Sequence, residues 1–513
     1  MAKIDNPVFV TISRLLYYDL SQFFSDPPSC LIIFRILPEI SKNLILRIIN
    51  SSKNGKIELS QIKNHDIFIN TDQNISIYYQ GLMQIGIIKR NENFNSTHIQ
   101  FNEVFISTLR NILSEGIKNN ENISFHHKPK GYETSLERGI NKFYKFINEK
   151  IFNQVNKTKS DNYINTFLTK INFLHLQGDR YQLGPKAINL FLLTNEDMIK
   201  NFFQFYIVFS FDKNNKTEKK IKFFKLIFYL TTLEPGVYFN DIPPNYYDKS
   251  FEENLDFMSQ AGFIIIKQDK SNNTRKICCT PLIQCLFENI NISRQYSLLR
   301  YGDENAERFL FVETNMKFYA YMPFIKKNLK NKDNSNLSFS YNTSESFIST
   351  SIKEEREEKT QDQKTLFNIN LLKTIFNIEI ILPNMLIGYI TRDCLRKLFK
   401  DSKSEFILQF LSEHMSLKSD DVTEIKGKKY LINESVVNQI LILEKEKNSI
   451  TVKPVLCYFD FYNPKQYELY SKKMEEKQIE CIYTNKEVIV IHNNEENRRK
   501  MNIIENEVSK EKY

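Results

Sequence analysis

The stretch RFLFVETNMKFYAYMPF, Arg308 to Phe324, reads as one long strand. Side chains alternate between the two faces of a strand. Leu310, Val312, Thr314, Met316, Phe318, Ala320 and Met322 therefore share one side and make a core face. Phe309, Phe311, Glu313, Asn315, Lys317, Tyr319 and Tyr321 share the other. That second side is aromatic at both ends and charged in the middle, too apolar for plain solvent and too polar for a core. What covers it is the question the rest of the chain must answer.

A chain of 513 residues is too long for a single core, and three or more domains are expected. Hydrophobic residues at 41% and charged residues at 26% fall in the range of soluble globular proteins. The net charge of +9 is spread along the sequence without a dense Lys/Arg block, so a dedicated nucleic-acid binder is not required. Seven cysteines in so long a chain do not form a disulfide framework. Cys278, Cys279 and Cys285 cluster without a Cys-x-x-Cys or a histidine and read as small buried apolar residues. The opening MAKIDNPVFV lacks the apolar region of a signal peptide, and no apolar run is long enough to span a membrane. The expectation is an intracellular, soluble protein, with NFFQFYIVFSF (Asn201–Phe211) as a buried helix.

Three segments share one pattern of helix, short apolar strand, polar turn, second strand and helix. They begin at Tyr78, Phe167 and Phe251. Gly86 and Gly262 stand where a helix would end in a left-handed cap. Asn91–Ser96, Gly178–Arg180 and Asp269–Thr274 read as hairpin tips. RILPEISKNLILRIIN supplies a helix ahead of the first copy, and KIKFFKLIFYLTTLEPG one ahead of the third. Helices feeding a two-stranded wing are the layout of a winged helix. A DNA-reading winged helix needs basic and amide side chains on its recognition helix. NISIYYQGLMQIG has no basic residue, and FEENLDFMSQAG carries Glu252, Glu253 and Asp256, which repel phosphates. The units read as protein–protein modules.

Residues 325–365 are polar and of low complexity and read as a disordered insert. Structure resumes at LFNINLLKTIFNIEIILPNML. Thr391 then reads as a helix N-cap, with Asp393 in the first turn and Ile390 against Leu395 as a staple. Ser402 and Glu405 have the spacing of a capping box for a helix burying Ile407, Phe410 and Leu411. The last sixty residues or so read as a β-α-β-β-α unit, very small for an independent core, which a partner extending its sheet would stabilise.

Chemistry is not written in the chain. There is no phosphate-binding glycine loop, no H-E-x-x-H and no metal or cofactor pattern. His126–His127 read as surface in a polar linker, His414 as a partner for a helix C-terminus, and Glu354–Glu358 as solvated charge. The expectation is a protein without catalytic, cofactor-binding or metal-binding residues.

The segment FVETNMKFYAY, followed across the insert by PNMLIGYITRDCLRKLF, resembles the fifty-two-kilodalton subunit family of the general transcription and DNA-repair factor TFIIH. The similarity continues in order through Ser29–Ile49, Val436–Asn448 and Leu456–Tyr483. It departs from the family at Asp393–Cys394, where Glu-Ser is usual, and at Leu441 and Leu443, where Arg and Trp are usual. The resemblance implies an α+β fold, mostly α. It places an N-terminal helical/winged-helix domain at 1–130, a second winged-helix-like domain at 131–200 and a third at 201–300. A helicase-binding α/β clutch domain follows at 301–453, containing the insert 325–365, and a small β-α-β-β-α domain at 454–513.

The resemblance further implies a nuclear, non-catalytic core subunit of TFIIH. Such a subunit anchors the XPB-type helicase and stimulates its ATPase, in RNA polymerase II transcription initiation and nucleotide excision repair. Its helicase interface would include Phe311, Glu313, Lys317, Tyr319, Tyr321, Arg392 and Arg396. Its interface with the small eight-kilodalton TFIIH subunit would include Tyr458, Phe459, Phe461, Val488 and Val490. Other TFIIH core subunits are partners, double-stranded DNA is a secondary partner at most, and no membrane is involved. The alternative is a free-standing winged-helix DNA-binding transcription regulator.

Overall fold

The computed structural model describes residues 22–51, 56–58, 82–83, 85–88, 98–117, 132–155, 157, 162–213, 216–239, 242–268, 275–287, 295–296, 308–321, 363–382, 384–416, 422–425, 427–449, 455–459, 461, 464–485 and 488–509. It is a helix-rich mixed α/β chain with small antiparallel sheets. The chain divides into two compact units, Met1–Leu441 and Ile442–Tyr513.

The first unit opens with helix α1 (Pro27–Ile36), whose N-cap Asp26 accepts the Ser29 amide at 3.1 Å. Helix α2 (Glu39–Ser51), strand β1 (Lys56–Glu58), strand β2 (His98–Gln100) and helix α3 (Glu103–Glu115) follow, with β1 paired to β2. Next come α4 (Tyr132–Lys150) and α5 (Tyr163–Lys170), the hairpin β3 (Leu174–Gln177) and β4 (Arg180–Leu183), and α6 (Pro185–Phe191). Two apolar helices, α7 (Asn195–Lys213) and α8 (Thr217–Thr232), lead to β5 (Tyr238–Phe239), α9 (Glu252–Gln260), β6 (Ile264–Gln268), β7 (Arg275–Cys279) and α10 (Pro281–Gln284). The strands β5, β7 and β6 form a sheet in that order. The expected helix–strand–strand–helix order is present in the second and third copies. The tips Asn91–Ser96 and Asp269–Thr274 and most of the first copy's helix lie outside the described residues.

All three copies end their helix in the same way. Gly86, Asn172 and Gly262 are left-handed, at φ 68°, 59° and 81°. The next residue's amide donates back five positions: Ile87 to Leu82 (3.0 Å), Phe173 to Leu168 (2.8 Å) and Phe263 to Met258 (2.9 Å). This satisfies a helix-end carbonyl and places an apolar side chain in the core; Ile87, Phe173 and Phe263 are all fully buried. At Gly262 a second constraint applies, because a Cβ there would lie 2.2 Å from the Gly139 carbonyl oxygen of α4. The backbones of α4 and the third copy touch at that point.

The run NFFQFYIVFSF is a buried helix as expected, within α7. Phe202 meets Phe143, Phe146, Phe167, Phe173 and Phe257, and Tyr206 stacks on Phe257 at 3.7 Å between centroids. The polar atoms of this core pair with one another. Asn254 Nδ2 donates to Tyr206 Oη at 2.9 Å and to Ser210 Oγ at 3.0 Å, and burial pushes the Tyr206 phenol well above its ordinary pKa. Cys278, Cys279 and Cys285 are buried, in keeping with their reading as apolar fill.

The opening stretch is not one strand. It is a hairpin of β8 (Leu310–Val312) and β9 (Lys317–Tyr321). Its turn, Glu313–Met316, is closed by the Met316 amide to the Glu313 carbonyl (3.0 Å) and the Glu313 amide to the Lys317 carbonyl (2.8 Å). Asn315 Oδ1 accepts the Lys317 amide at 2.8 Å, and Met316 takes the left-handed conformation at φ 67°. The turn carries one face into the same face, so the predicted alternation survives: Leu310, Val312, Met316, Phe318 and Ala320 are buried, although Thr314, at the tip, is exposed.

Helix α11 (Gln363–Ile375) comes next, so the last three residues predicted for the insert, Gln363 to Thr365, are helical; residues 322–362 lie outside the described residues. Strands β10 (Asn377–Leu382) and β11 (Met385–Tyr389) complete a sheet of order β10-β11-β9-β8. Helices α12 (Arg392–Asp401) and α13 (Ser404–His414), the hairpin β12 (Thr423–Ile425) and β13 (Lys428–Tyr430), and α14 (Glu434–Ser449) follow; the division between units falls within α14. Thr391 caps α12, accepting the Cys394 amide at 3.3 Å, with Ile390 and Leu395 both buried. The Ser402–Glu405 capping box does not form. Lys403 is the N-cap of α13 without a side-chain bond, Ser402 ends α12, and Glu405 turns to Lys428. His414 is buried between the Phe309 and Phe410 rings, with Nδ1 2.8 Å from the Phe410 carbonyl one turn back.

The helices of the first unit interlock. Phe367 of α11 meets Tyr144 of α4 and Phe191 of α6, and Asn148 Nδ2 of α4 donates to the Gln363 carbonyl at 2.9 Å.

The second unit contains β14 (Val455–Phe459), α15 (Pro464–Glu476), β15 (Cys481–Thr484), β16 (Val488–His492) and α16 (Glu495–Val508). Its strand order is β14-β16-β15. Met474, Ile479, Ile489, Ile491, Met501, Ile504 and Val508 make its core.

Candidate partner-binding faces

The sheet β10-β11-β9-β8 has a filled face and an open one. On the filled face Leu310, Val312, Phe318, Ala320 and Leu386 are buried, and Phe318 meets Phe376 at 5.4 Å. Gly388 makes room for that ring, since a Cβ there would lie 2.8 Å from Phe318 Cε1.

The open face is built by register. Phe311 lies opposite Tyr319, Tyr319 opposite Ile387 and Ile387 opposite Ile380. Tyr321, Met385 and Leu382 form a second row, and Lys317 and Tyr389 pair in a third. Phe311, Tyr321, Ile380 and Leu382 remain 43%, 58%, 44% and 37% exposed. Lys317 Nζ lies 5.5 Å from the Tyr319 ring centroid and 5.6 Å from that of Tyr389. Tyr319 first, then Tyr389, raises the ammonium's pKa above its ordinary value. The face is a wide apolar strip with one fixed cation at its side, and such a surface suits protein recognition.

Of the residues assigned to the helicase, Phe311, Lys317, Tyr319 and Tyr321 come together here. Glu313 sits in the turn, where its carboxylate accepts Asn315 Nδ2 at 3.0 Å. Phe309 meets His414 at 5.1 Å. Arg392 and Arg396 are on the exposed side of α12, a helix that packs toward α11 and α6. Ile380, Leu382, Met385, Ile387 and Tyr389 were missed. Their signal was the tight Pro383-Asn384 connection between two apolar runs, which makes β10 and β11 a hairpin.

In the second unit, Tyr458 and Phe461 pack inward on the core, with Phe461 5.6 Å from Tyr467 and 5.5 Å from Tyr470. Val488 and Val490 lie on the opposite side of β16, partly buried, and Phe459 pairs with Val488. The neighbouring strands leave Val455, Ile482 and Tyr483 exposed at 38%, 47% and 56%. β16 is the central strand, so β14 and β15 are the edges that can add a strand.

Among the described residues no group of His, Cys, Asp and Glu could hold a metal ion, and no helix is long and apolar enough to cross a membrane.

The sequence matches the family model described as transcription factor Tfb2 over residues 12–416. The chain belongs to the Tfb2 family. Tfb2 proteins are the fifty-two-kilodalton structural subunits of TFIIH, so this chain is a TFIIH subunit acting in transcription and assembled with other subunits of that complex. The Tfb2 match includes the whole open-faced sheet and ends at α13. No curated protein matches the chain.

Proposed function

We propose that this Tfb2 subunit is a non-catalytic anchor for the XPB-type helicase of TFIIH and stimulates its ATPase, in RNA polymerase II initiation and in nucleotide excision repair in the nucleus. The observation that carries the reading is the open face around Tyr319. Within the Tfb2 match, apolar and aromatic side chains lie exposed beside a cation held over two tyrosine rings. Tyrosines anchor protein interfaces, and a placed charge fixes register. In this reading 301–453 is the clutch domain. The segments 1–130, 131–200 and 201–300 are winged-helix-like modules that hold other TFIIH core subunits, and 454–513 pairs with the small eight-kilodalton subunit through the Val488/Val490 side of its sheet.

A free-standing DNA-binding regulator is the weaker reading. The helix α9 that would read DNA carries Glu252, Glu253 and Asp256, and Glu252 already takes Arg275 Nη1 at 2.6 Å. Purification of the tagged full chain from its own cells separates the two. The anchor should bring down the helicase and the small subunit in stoichiometric amount. A chain recovered free of both, binding duplex DNA with a steep salt dependence, would favour the regulator.

A further inference from the structure

The solvent side of α12 carries Arg392, Arg396, Lys397 and Lys400, all exposed, and exposed Lys403 follows in the connection to α13. Positions 392, 396 and 400 are four apart, so they line one side of the helix, and Lys403 lies just beyond its end. Carboxylates stand near this row, and Asp401 ends the same helix. Asp393 lies 3.8 Å from Arg396, and Glu405 is engaged by Lys428. The other side of the helix is in the core: Leu395, Leu398 and Phe399 are buried.

We propose that this row binds the phosphodiester backbone of duplex DNA without reading its sequence. Cations along one side of a helix match a regular, rigid polyanion, and Lys and Arg contacts to phosphate position a protein without specifying bases. Single-stranded nucleic acid is captured by cations interleaved with exposed aromatic rings; the one aromatic of α12, Phe399, is buried. A protein partner would need apolar anchors at the centre of the patch, and the row offers only charge. A membrane surface would need the apolar side of the helix, which is already buried. Arg392 and Arg396, which the family resemblance gave to the helicase, thus serve a second surface. The inference does not rest on the helicase reading.

The test is fluorescence anisotropy with the full chain and a labelled duplex of about 30 base pairs across a salt series. Binding should weaken with salt at a log–log slope of about −3 to −4. Arg396→Glu with Lys400→Glu should lower affinity at low salt by about tenfold or more and reduce the slope by about two, with an unchanged thermal midpoint. Arg396→Lys with Lys400→Arg should restore both. If charge reversal unfolds the chain, Arg396→Gln with Lys400→Gln is read by the same two quantities. Unaltered affinity and slope in the charge-changed chain would overturn the proposal, and so would tighter binding of a single strand of equal length. Helicase recovery by the same variant is scored separately, so failure here leaves the anchor reading untouched and the reverse also holds.

Discussion

Among the described residues four helices end on a left-handed residue followed by a buried apolar one, and only two of the four do so on a glycine. Gly86 and Gly262 are glycines, which take that conformation without penalty. Asn172 and Gln478 occupy the same position, at φ 59° and 53°; asparagine tolerates it better than most residues, and nothing in a glutamine marks a cap. The physical signal is the buried pair around them; the Ile479 amide donates to the Met474 carbonyl at 3.0 Å, and both side chains are buried. The two kinds of position should respond oppositely. Gly262→Ala meets both the left-handed penalty and the Gly139 oxygen, and should cost about 2 kcal/mol or more of stability in the first unit. Gln478→Gly relieves the left-handed penalty at an exposed site and should stabilise the second unit by up to about 1 kcal/mol. Chemical denaturation of each variant measures both; a neutral Gly262→Ala would mean that α4 and the third copy do not touch there.

At the scale of elements, the face of the opening stretch was legible and its shape was not. Alternation is blind to a turn that returns each residue to its own side. Leu310 pairs with Ala320 and Val312 with Phe318, so buried positions stay even-numbered across the turn and the hairpin imitates a strand. The capping box at Ser402 failed for a different reason: Ser402 is still held by α12, its amide bonded to the Leu398 carbonyl at 2.8 Å, and the next helix starts beyond it. In the second unit the apolar strand VIVIH has the look of an exposed edge, yet β16 is the centre of its sheet. Position 490 therefore separates fold from binding. Val490→Pro removes a ladder donor from the central strand and should unfold residues 442–513. Val490→Lys leaves the ladder intact and should keep the unit folded while weakening the small subunit's association. Circular dichroism and co-purification decide; a folded proline variant would contradict the strand order.

Across the whole molecule, the mixed α/β class, the two later helix–hairpin copies, the buried α7 and the C-terminal β-α-β-β-α order were readable from local pattern. Long-range ties were not. Phe367, which follows the 325–365 segment, enters the same core as Tyr144 and Phe191, and no local periodicity encodes a pairing across so many residues. The open face was likewise only half visible, because its other half comes from Ile380, Leu382, Met385 and Tyr389 on strands beyond that segment. Those residues make the face wide enough to hold a partner, and the anchor reading depends on it. The direct measurement is the affinity of the XPB-type helicase for the full chain and for its Lys317→Glu, Tyr319→Ala variant. Both substitutions are on the open side, away from Phe318 and Ala320, so the variant should keep its thermal midpoint and lose about 2–4 kcal/mol of helicase binding. Helicase binding at full strength, or a variant that aggregates on its own, would show that the open face is not where the helicase is held.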